Sequence, residues 1–400
     1  MESKRFKRGD RLKVKIERLS AGGRGVARAD GLVIFVPGVA PDEEVEIELT
    51  AVKKNFAEAQ LRHVFNPGPA RVFPPCLVAN VCGGCNWQHI AYEEQLRQKR
   101  LLVAEALRKF SGFDVSEDFI AETVASPKQF RYRNRVQLHH SGPRLGFFKR
   151  GSHEIVDIDD CLITEEKLAA EIPRIKKELA HQKKGRVELY LTTTGEPALR
   201  KSHADPEEAG TTGPAFSQVN TAQNEQLVRA VVEIFREILA SSVSVGQILD
   251  LYSGSGNFSF PLAETYQDVS ITAVELNSES IRQANDQLQR SNLKNLSFKE
   301  ADVEEYLKSE SPAENDIVLL DPPRTGCSKG VVSILAEKAP AHIVYVSCNP
   351  VTLARDLRSL HDVGYSLVSV TPFDMFPQTD HVEVITHLKK STGPKSGASA

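Results

Sequence analysis

Residues 247–259 read QILDLYSGSGNFS. The apolar run around Ile248, Leu249 and Leu251 has the character of a buried strand. It enters a turn carrying Gly254 and Gly256, and the chain beyond can start a helix. Glycines at such a turn let a ligand approach the backbone closely. The third glycine of a dinucleotide fingerprint is missing, because Ser259 stands there. The stretch therefore points to a Rossmann-like sheet with a ligand at the turn. A NAD-dependent enzyme on such a sheet is disfavoured by that missing glycine.

Downstream, apolar runs alternate with helical patterns. SITAVEL (270–276) precedes SESIRQANDQLQRS (278–291), and LSFKEA (296–301), DIVLLD (316–321), HIVYVSC (342–348), YSLVSVTPF (365–373) and HVEVITHL (381–388) follow. Upstream, residues 224–239 are helical in pattern. Strands alternating with helices predict a doubly wound, mostly parallel sheet over 216–390. The tail 391–400, STGPKSGASA, is small and polar and is expected to be disordered.

The rest of the chain differs in character. Residues 1–66 contain about five short strand patterns separated by glycine turns, which suits a small OB-like β-barrel. Within residues 1–28, ten Lys and Arg face three acidic residues. That local excess of positive charge suits a phosphate-rich partner, and equally a solvated strand face. The proline-rich NPGPARVFPPC (66–76) reads as a linker into a β-rich central domain, 67–215, which also holds a helical stretch after Ala91. In KQFRYRNRVQ (128–137), Phe130 and Tyr132 interleave with four cations, as an RNA surface or an ordinary strand would. The net charge of -3 over 400 residues averages over these regions. No apolar run is long enough to span a membrane and the first residues lack a secretory signal, so a cytoplasmic protein is expected. A monomer is the default expectation.

The chemistry concentrates at strand ends, where α/β sheets bind ligands. Glu275 ends the second strand and can bind ribose hydroxyls. Asp302 follows the third and can meet an adenine amino group or cap a helix. Asp321 ends the fourth, in DPPRTG (321–326), and Arg324 beside it can hold a phosphate. Cys348 ends the fifth, in VSCNP (346–350). A thiolate there can add to carbon 6 of a uracil, turning the unreactive carbon 5 into a nucleophile. Such a site should favour the thiolate over the ordinary thiol, which titrates near ~8.5. Glu383, in HVE (381–383), is the candidate base for the carbon 5 proton, with His381 its competitor. Cys327 is the competing nucleophile. Cys76, Cys82, Cys85 and Cys161 form C-x5-C-x2-C plus one distant cysteine, a ligand set for a [4Fe–4S] cluster or a structural zinc. Spacing does not separate these two.

Five motifs taken together, FSQVN (216–220), LDLYSGSGNFS, DPPRTG, VSCNP and HVE, resemble the RNA uracil-5-methyltransferases. The likeness extends over nearly the whole chain and is to the 23S ribosomal RNA branch, which has an N-terminal TRAM domain and an iron–sulfur cluster. The resemblance implies a multidomain α/β protein: a TRAM domain over 1–66, a central iron–sulfur domain over 67–215 and an S-adenosylmethionine-dependent methyltransferase domain over 216–390. It implies Cys348 as nucleophile and Glu383 as base, and it implies that Gln218, Tyr252, Asn257, Glu275, Asp302 and Asp321 bind S-adenosylmethionine. It turns the four-cysteine reading to a [4Fe–4S] cluster and the partner to ribosomal RNA, with transfer RNA as the alternative. A non-catalytic iron–sulfur RNA-binding protein is the reading from another class, disfavoured by the intact Cys348, Glu383 and glycine turn.

Overall fold

The computed structural model describes residues 6–192, 194–202, 218–241 and 244–391. Most of the 391–400 tail and the first two residues of FSQVN lie outside that range. The described residues form two compact units. The first comprises residues up to Leu102, Lys128 onward to Ser202, and Phe376–Asp380. The second comprises Val103–Pro127, Gln218 to Met375, and the chain from His381.

The first unit holds two sheets. Strands β1 (Arg11–Lys15), β2 (Arg18–Ser20), β3 (Arg24–Ala29), β4 (Leu32–Val36), β5 (Glu44–Val52) and β6 (Phe56–Asn66) pair in the order β1-β5-β6-β4-β3-β2. The Ile16 N–H donates to the Glu43 carbonyl and the Glu17 N–H to the Val26 carbonyl, so the β1–β2 corner ties both edges together. Val14, Ile34, Ile47 and Ala57 alternate inward along their strands and build its core. The register sets β1 against β5: Arg11 opposes Glu48, Lys13 opposes Glu46 and Lys15 opposes Glu44. Arg11 pairs with Glu48 at 3.5 Å, Lys13 with Glu44 at 3.0 Å, Lys15 with Asp42 at 3.4 Å and Arg24 with Glu58 at 3.4 Å, all acids beyond residue 28. Much of the basic excess counted in residues 1–28 is therefore neutralised within its own sheet.

The second sheet, β7 (Arg135–Ser141), β8 (Arg144–Phe148), β9 (Ile155–Asp157), β10 (Gly185–Leu191) and β11 (Pro197–Ser202), pairs in the order β11-β10-β7-β8-β9. Helix α1 (Tyr92–Phe110) precedes it, and helices α2 (Glu166–Ala169) and α3 (Ile172–Leu179) bury Leu168, Ile172 and Ile175 against it. The cations of KQFRYRNRVQ are mostly occupied within this unit. Arg131 clamps Asp160 with two bonds of 2.7 Å, Arg135 pairs with Glu188, and Tyr132 is buried. Those contacts favour the structural reading of that stretch over the RNA-surface one.

The second unit is the doubly wound sheet. Its strands are β12 (Gln247–Leu251), β13 (Ser270–Glu275), β14 (Leu296–Glu300), β15 (Ile317–Leu320), β16 (His342–Ser347), β17 (Tyr365–Phe373) and β18 (Glu383–Lys390). Their order is β14-β13-β12-β15-β16-β18-β17, with β18 the antiparallel strand. The strand order reverses between β12 and β15, so a ligand crevice opens at their carboxyl ends. Central strands are buried along their whole length, as in β15 and β16. Helices α4 (Thr221–Ser241), α5 (Ser259–Thr265), α6 (Ser278–Gln289), α7 (Val303–Ser309), α8 (Lys329–Lys338) and α9 (Pro350–Asp362) connect the strands. Asn277, Asp302, Ser328 and Asn349 cap four of them, each accepting a backbone N–H of the first turn. Among the described residues no helix is long and apolar enough to cross a membrane.

Candidate functional site

The carboxyl edge of the seven-stranded sheet gathers the predicted residues. At the end of β12 the chain turns through Tyr252, whose φ of 64° lies in the left-handed region. That conformation is strained for a tyrosine, and strain of this kind clusters at ligand sites. Gly254 has open space where a Cβ would point, and its N–H donates to Glu275 Oε2 at 3.0 Å. At Gly256, φ is 90° and a Cβ would sit 2.7 Å from the Phe260 ring. Only glycine fits there. Glu275 also accepts from the Asn277 N–H at 2.7 Å. Asn257 and Asn224 exchange amide hydrogen bonds of 2.8 and 3.1 Å. Asp302 caps α7, accepting from Glu304 and Glu305 at 2.9 and 3.1 Å, and both bonds fall on Oδ1. Gln218 is half-buried just ahead of α4.

Two residues that sequence reasoning passed over complete this corner. Asp250 is fully buried and accepts a hydrogen bond from Ser259, the residue standing at the missing third glycine. Desolvation pushes the Asp250 carboxyl up to about 7, and Glu275 adds to the rise. The buried Asp250 Oδ1 and Ser253 Oγ have no hydrogen-bond partner among the described residues. Orphaned polar atoms at a glycine turn fit a polar ligand such as S-adenosylmethionine. Their signal in sequence was weak, because Asp250 looks like one polar break in an apolar strand.

The nucleophile and base candidates come together through the sheet register. Ser347 of β16 pairs with Val384 of β18. One step beyond that pair, on the two neighbouring strands, stand Cys348 and Glu383. Glu383 is buried, and desolvation together with Asp321 holds its carboxyl well above the usual range. Asp321 is only half-buried at its surface, yet desolvation and Asp250 push it up to about 7. Arg324 is exposed and acts against these shifts, favouring charge on both Cys348 and Glu383.

One sequence expectation is corrected here. The site was expected to favour the Cys348 thiolate, but burial, Glu383 and Asp321 push the thiol up to about 12 in the free protein. Burial is the largest cause, and Glu383 and Asp321 add to it against the exposed Arg324 guanidinium. The competing residues also resolve. Cys327 is buried in the core, its thiol donating to the Tyr345 hydroxyl at 3.5 Å, and Tyr345 donates to Asp356 at 2.7 Å. His381 Nδ1 lies 3.3 Å from the Arg324 guanidinium. Asn349, also missed, caps α9 and donates to the Arg324 carbonyl at 3.1 Å, so it ties the Cys348 loop to the Arg324 loop. The Asn-Pro pair was its sequence signal.

A second constellation lies in the first unit. Cys76, Cys82, Cys85 and Cys161 all line one cavity of about 210 Å³, closed by apolar side chains that include Phe147 and Ile158. As placed, and among the described residues, they form no group of three ligands that could hold a metal ion. Burial raises Cys76 and Cys82, and pushes Cys85 up to about 12. Arg133 lines the same cavity, and Arg131 donates to the Cys161 carbonyl at 3.1 Å. Gly84 donates its N–H to the Cys82 sulfur at 3.4 Å. Thiols converging on one pocket, with an arginine and a backbone N–H beside them, fit a thiolate-bound group.

The glycine turn, the acidic strand ends and the strand order define a class I S-adenosylmethionine-dependent methyltransferase. Residues 210–391 match the family model described as tRNA (Uracil-5-)-methyltransferase, and residues 5–61 match the TRAM domain. The chain is 42% identical to an RNA methyltransferase of Bdellovibrio bacteriovorus over 95% of both chains. It is 32% identical to the 23S rRNA (uracil(1939)-C(5))-methyltransferase of Vibrio parahaemolyticus, covering 94% of this chain and 96% of that one. The solved structure of the Pyrococcus abyssi tRNA (uracil-54, C5)-methyltransferase with S-adenosyl-L-homocysteine aligns with a TM-score of 0.70 at 26% identity, over 94% of this chain and all of that one. The chain belongs to the RNA uracil-5-methyltransferases and carries an N-terminal TRAM domain.

Proposed function

We propose that the protein methylates carbon 5 of a specific uridine in 23S ribosomal RNA through a covalent enzyme–RNA adduct. The observation that carries this reading is the placement of Cys348 and Glu383 side by side, one step past the Ser347–Val384 pair. S-adenosylmethionine supplies an electrophilic methyl group when bound. Gln218, Tyr252, Asn257, Glu275, Asp302 and Asp321 hold it at the carboxyl edge of the sheet. The target uridine must leave its stack to reach the crevice. Cys348 gives its proton to solvent and its sulfur bonds carbon 6, sending the electron pair of the 5,6 double bond toward the carbon 4 carbonyl. Carbon 5 then takes the methyl group as the methyl–sulfur bond breaks, and S-adenosylhomocysteine leaves as a neutral thioether. Glu383 takes the carbon 5 proton, the double bond re-forms, and the sulfur leaves as thiolate. Burial and Asp321 raise the Glu383 carboxyl, so once ionised it is a stronger base for the carbon 5 proton than an ordinary carboxylate.

The four-cysteine cavity supports a resident [4Fe–4S] cluster in this reading. All four thiols line one cavity, together with Arg133. Four thiolates are the usual ligand set of the cluster. Methyl transfer requires no electron, so its role is to shape this region or its RNA contacts. Ribosomal RNA is favoured by the 32% identity to the Vibrio enzyme across almost both chains. Transfer RNA is the second reading, favoured by the likeness to the Pyrococcus structure.

The test is to trap the adduct. Glu383→Gln should let the carbon–sulfur bond form and slow its release. A slow-migrating protein–RNA band on denaturing gels is expected with that variant and with no band from Cys348→Ala. Absence of the band in Glu383→Gln removes Glu383 as the eliminating base.

A further inference from the structure

We propose that the groove between the Cys82–Cys85 loop and the Phe148–His153 turn binds an unpaired stretch of the substrate RNA, by base stacking on His139 and Phe148 and phosphate contacts to Lys149 and Arg150. This rests on the RNA reading above and concerns a surface distinct from the methyl-transfer crevice. The groove has a volume of about 530 Å³, enough for nucleotide-sized occupants. His139 and Phe148 stack with centroids 3.8 Å apart and planes 19° from parallel. His153 meets the Phe148 ring edge-on at 5.3 Å. Three rings therefore gather on one open surface, with Lys149, Arg150 and His153 exposed around them.

Among the described residues lining the groove the charged side chains are cationic. Desolvation holds the His139 pKa below the usual value, and Arg186, Lys184, His140 and His153 add to it. Glu154 stands beside the groove, 3.9 Å from Lys149, and both are exposed. Rings ringed by cations are the chemistry of single-stranded nucleic acid recognition. A lipid or an apolar helix would want an apolar floor, and an acidic peptide would leave the stacked rings unused.

The wall is built, not incidental. The Gly83 N–H donates to the Phe148 carbonyl at 2.9 Å, and the Arg150 N–H donates to the Val81 carbonyl at 3.1 Å. A Cβ on Gly83 would sit 2.9 Å from that same Phe148 oxygen, so glycine is what permits the approach. Arg150 also donates to the Cys85 carbonyl at 3.1 Å. The loop carrying two of the cavity thiols and the turn carrying the cations thus form one rigid wall. This gives the cysteine cavity a purpose, because whatever fixes the thiols also fixes the groove.

The test measures binding of the full chain to a single-stranded RNA of about a dozen nucleotides, and to a duplex of equal length. Phe148→Leu keeps apolar volume and removes the ring. Lys149→Glu and His153→Ala change exposed side chains. Each should weaken single-strand binding about tenfold, and Lys149→Glu should lower the salt slope by about one. Phe148→Leu should leave duplex binding near wild type. Wild-type affinity in all three variants overturns the proposal. So does an equal loss of single-strand and duplex binding in Phe148→Leu, which marks a folding effect. Methyl transfer by the wild type is assayed separately. If it fails while the groove variants still lose RNA, the enzymatic reading falls and the groove stands.

Discussion

Cys348 begins as a thiol, and that has consequences at the scale of single residues. Its pKa is pushed up to about 12, and Glu383 and Asp321 are raised by burial and by like charge. Groups raised this way ionise only as pH climbs. The rate, kcat/KM, should therefore keep rising from pH 6 to pH 9, and a profile flat above pH 5 would contradict this electrostatic picture. Arg324 pulls the thiol down. Arg324→Ala should cost about tenfold or more in rate at pH 7, with part of the loss recovered at pH 9. Asp321 supplies a stability test. Its folded pKa of about 7 lies above the ordinary 3.8, so the stabilisation from its protonated form is lost as pH rises through 7. Asp321→Asn should raise stability at pH 8 by roughly 2 kcal/mol and by less at pH 5, as read from unfolding at both pH values. The residues themselves were legible, since each sits in a short motif at a strand end. Their ionisation was not, because it depends on neighbours such as Arg324 and Asp250 that are distant in sequence.

At the scale of elements, position is set by caps and registers. Asn349 holds the first turn of α9 and the Arg324 carbonyl at once. Asn349→Ala should cost about 1 kcal/mol in thermal unfolding, as lost caps do, and should also lower kcat by loosening the Cys348 loop. A stable variant with wild-type kcat would separate the cap from the chemistry. The alternating pattern made the seven strands of the sheet legible, and β12 with its glycine turn fixed where the crevice opens. The basic N-terminal stretch left two readings open, because charge counted along the chain ignores cross-strand partners. Lys13 and Lys15 face Glu46 and Glu44 only once β1 and β5 pair. Likewise the 128–137 stretch suited an RNA surface or a plain strand, and Asp160, nearly thirty positions on, occupies Arg131.

At the scale of the molecule, sequential ranges and compact units do not coincide. Phe376–Asp380, just before Glu383, belongs to the first unit. Gln378 and Gln95 bond each other twice, at 3.0 Å each, and Asp380 accepts from Asn86 at 2.7 Å. Nothing in the local pattern of FPQTD announces partners almost three hundred positions away. The cysteine cavity is the other whole-molecule feature, since Cys161 joins three thiols far upstream. Protein purified without oxygen should be brown and hold about four irons per chain, and Cys85→Ser should lose both colour and iron. Colourless, zinc-loaded wild type would overturn the cluster. The central claim is tested most directly by methyl transfer from labelled S-adenosylmethionine to unmodified ribosomal RNA and to transfer RNA, with nucleoside analysis and Cys348→Ala alongside. The account predicts 5-methyluridine in ribosomal RNA with the wild type and none with the variant. Label in transfer RNA alone would contradict the substrate, and 5-methyluridine formed by Cys348→Ala would contradict the mechanism.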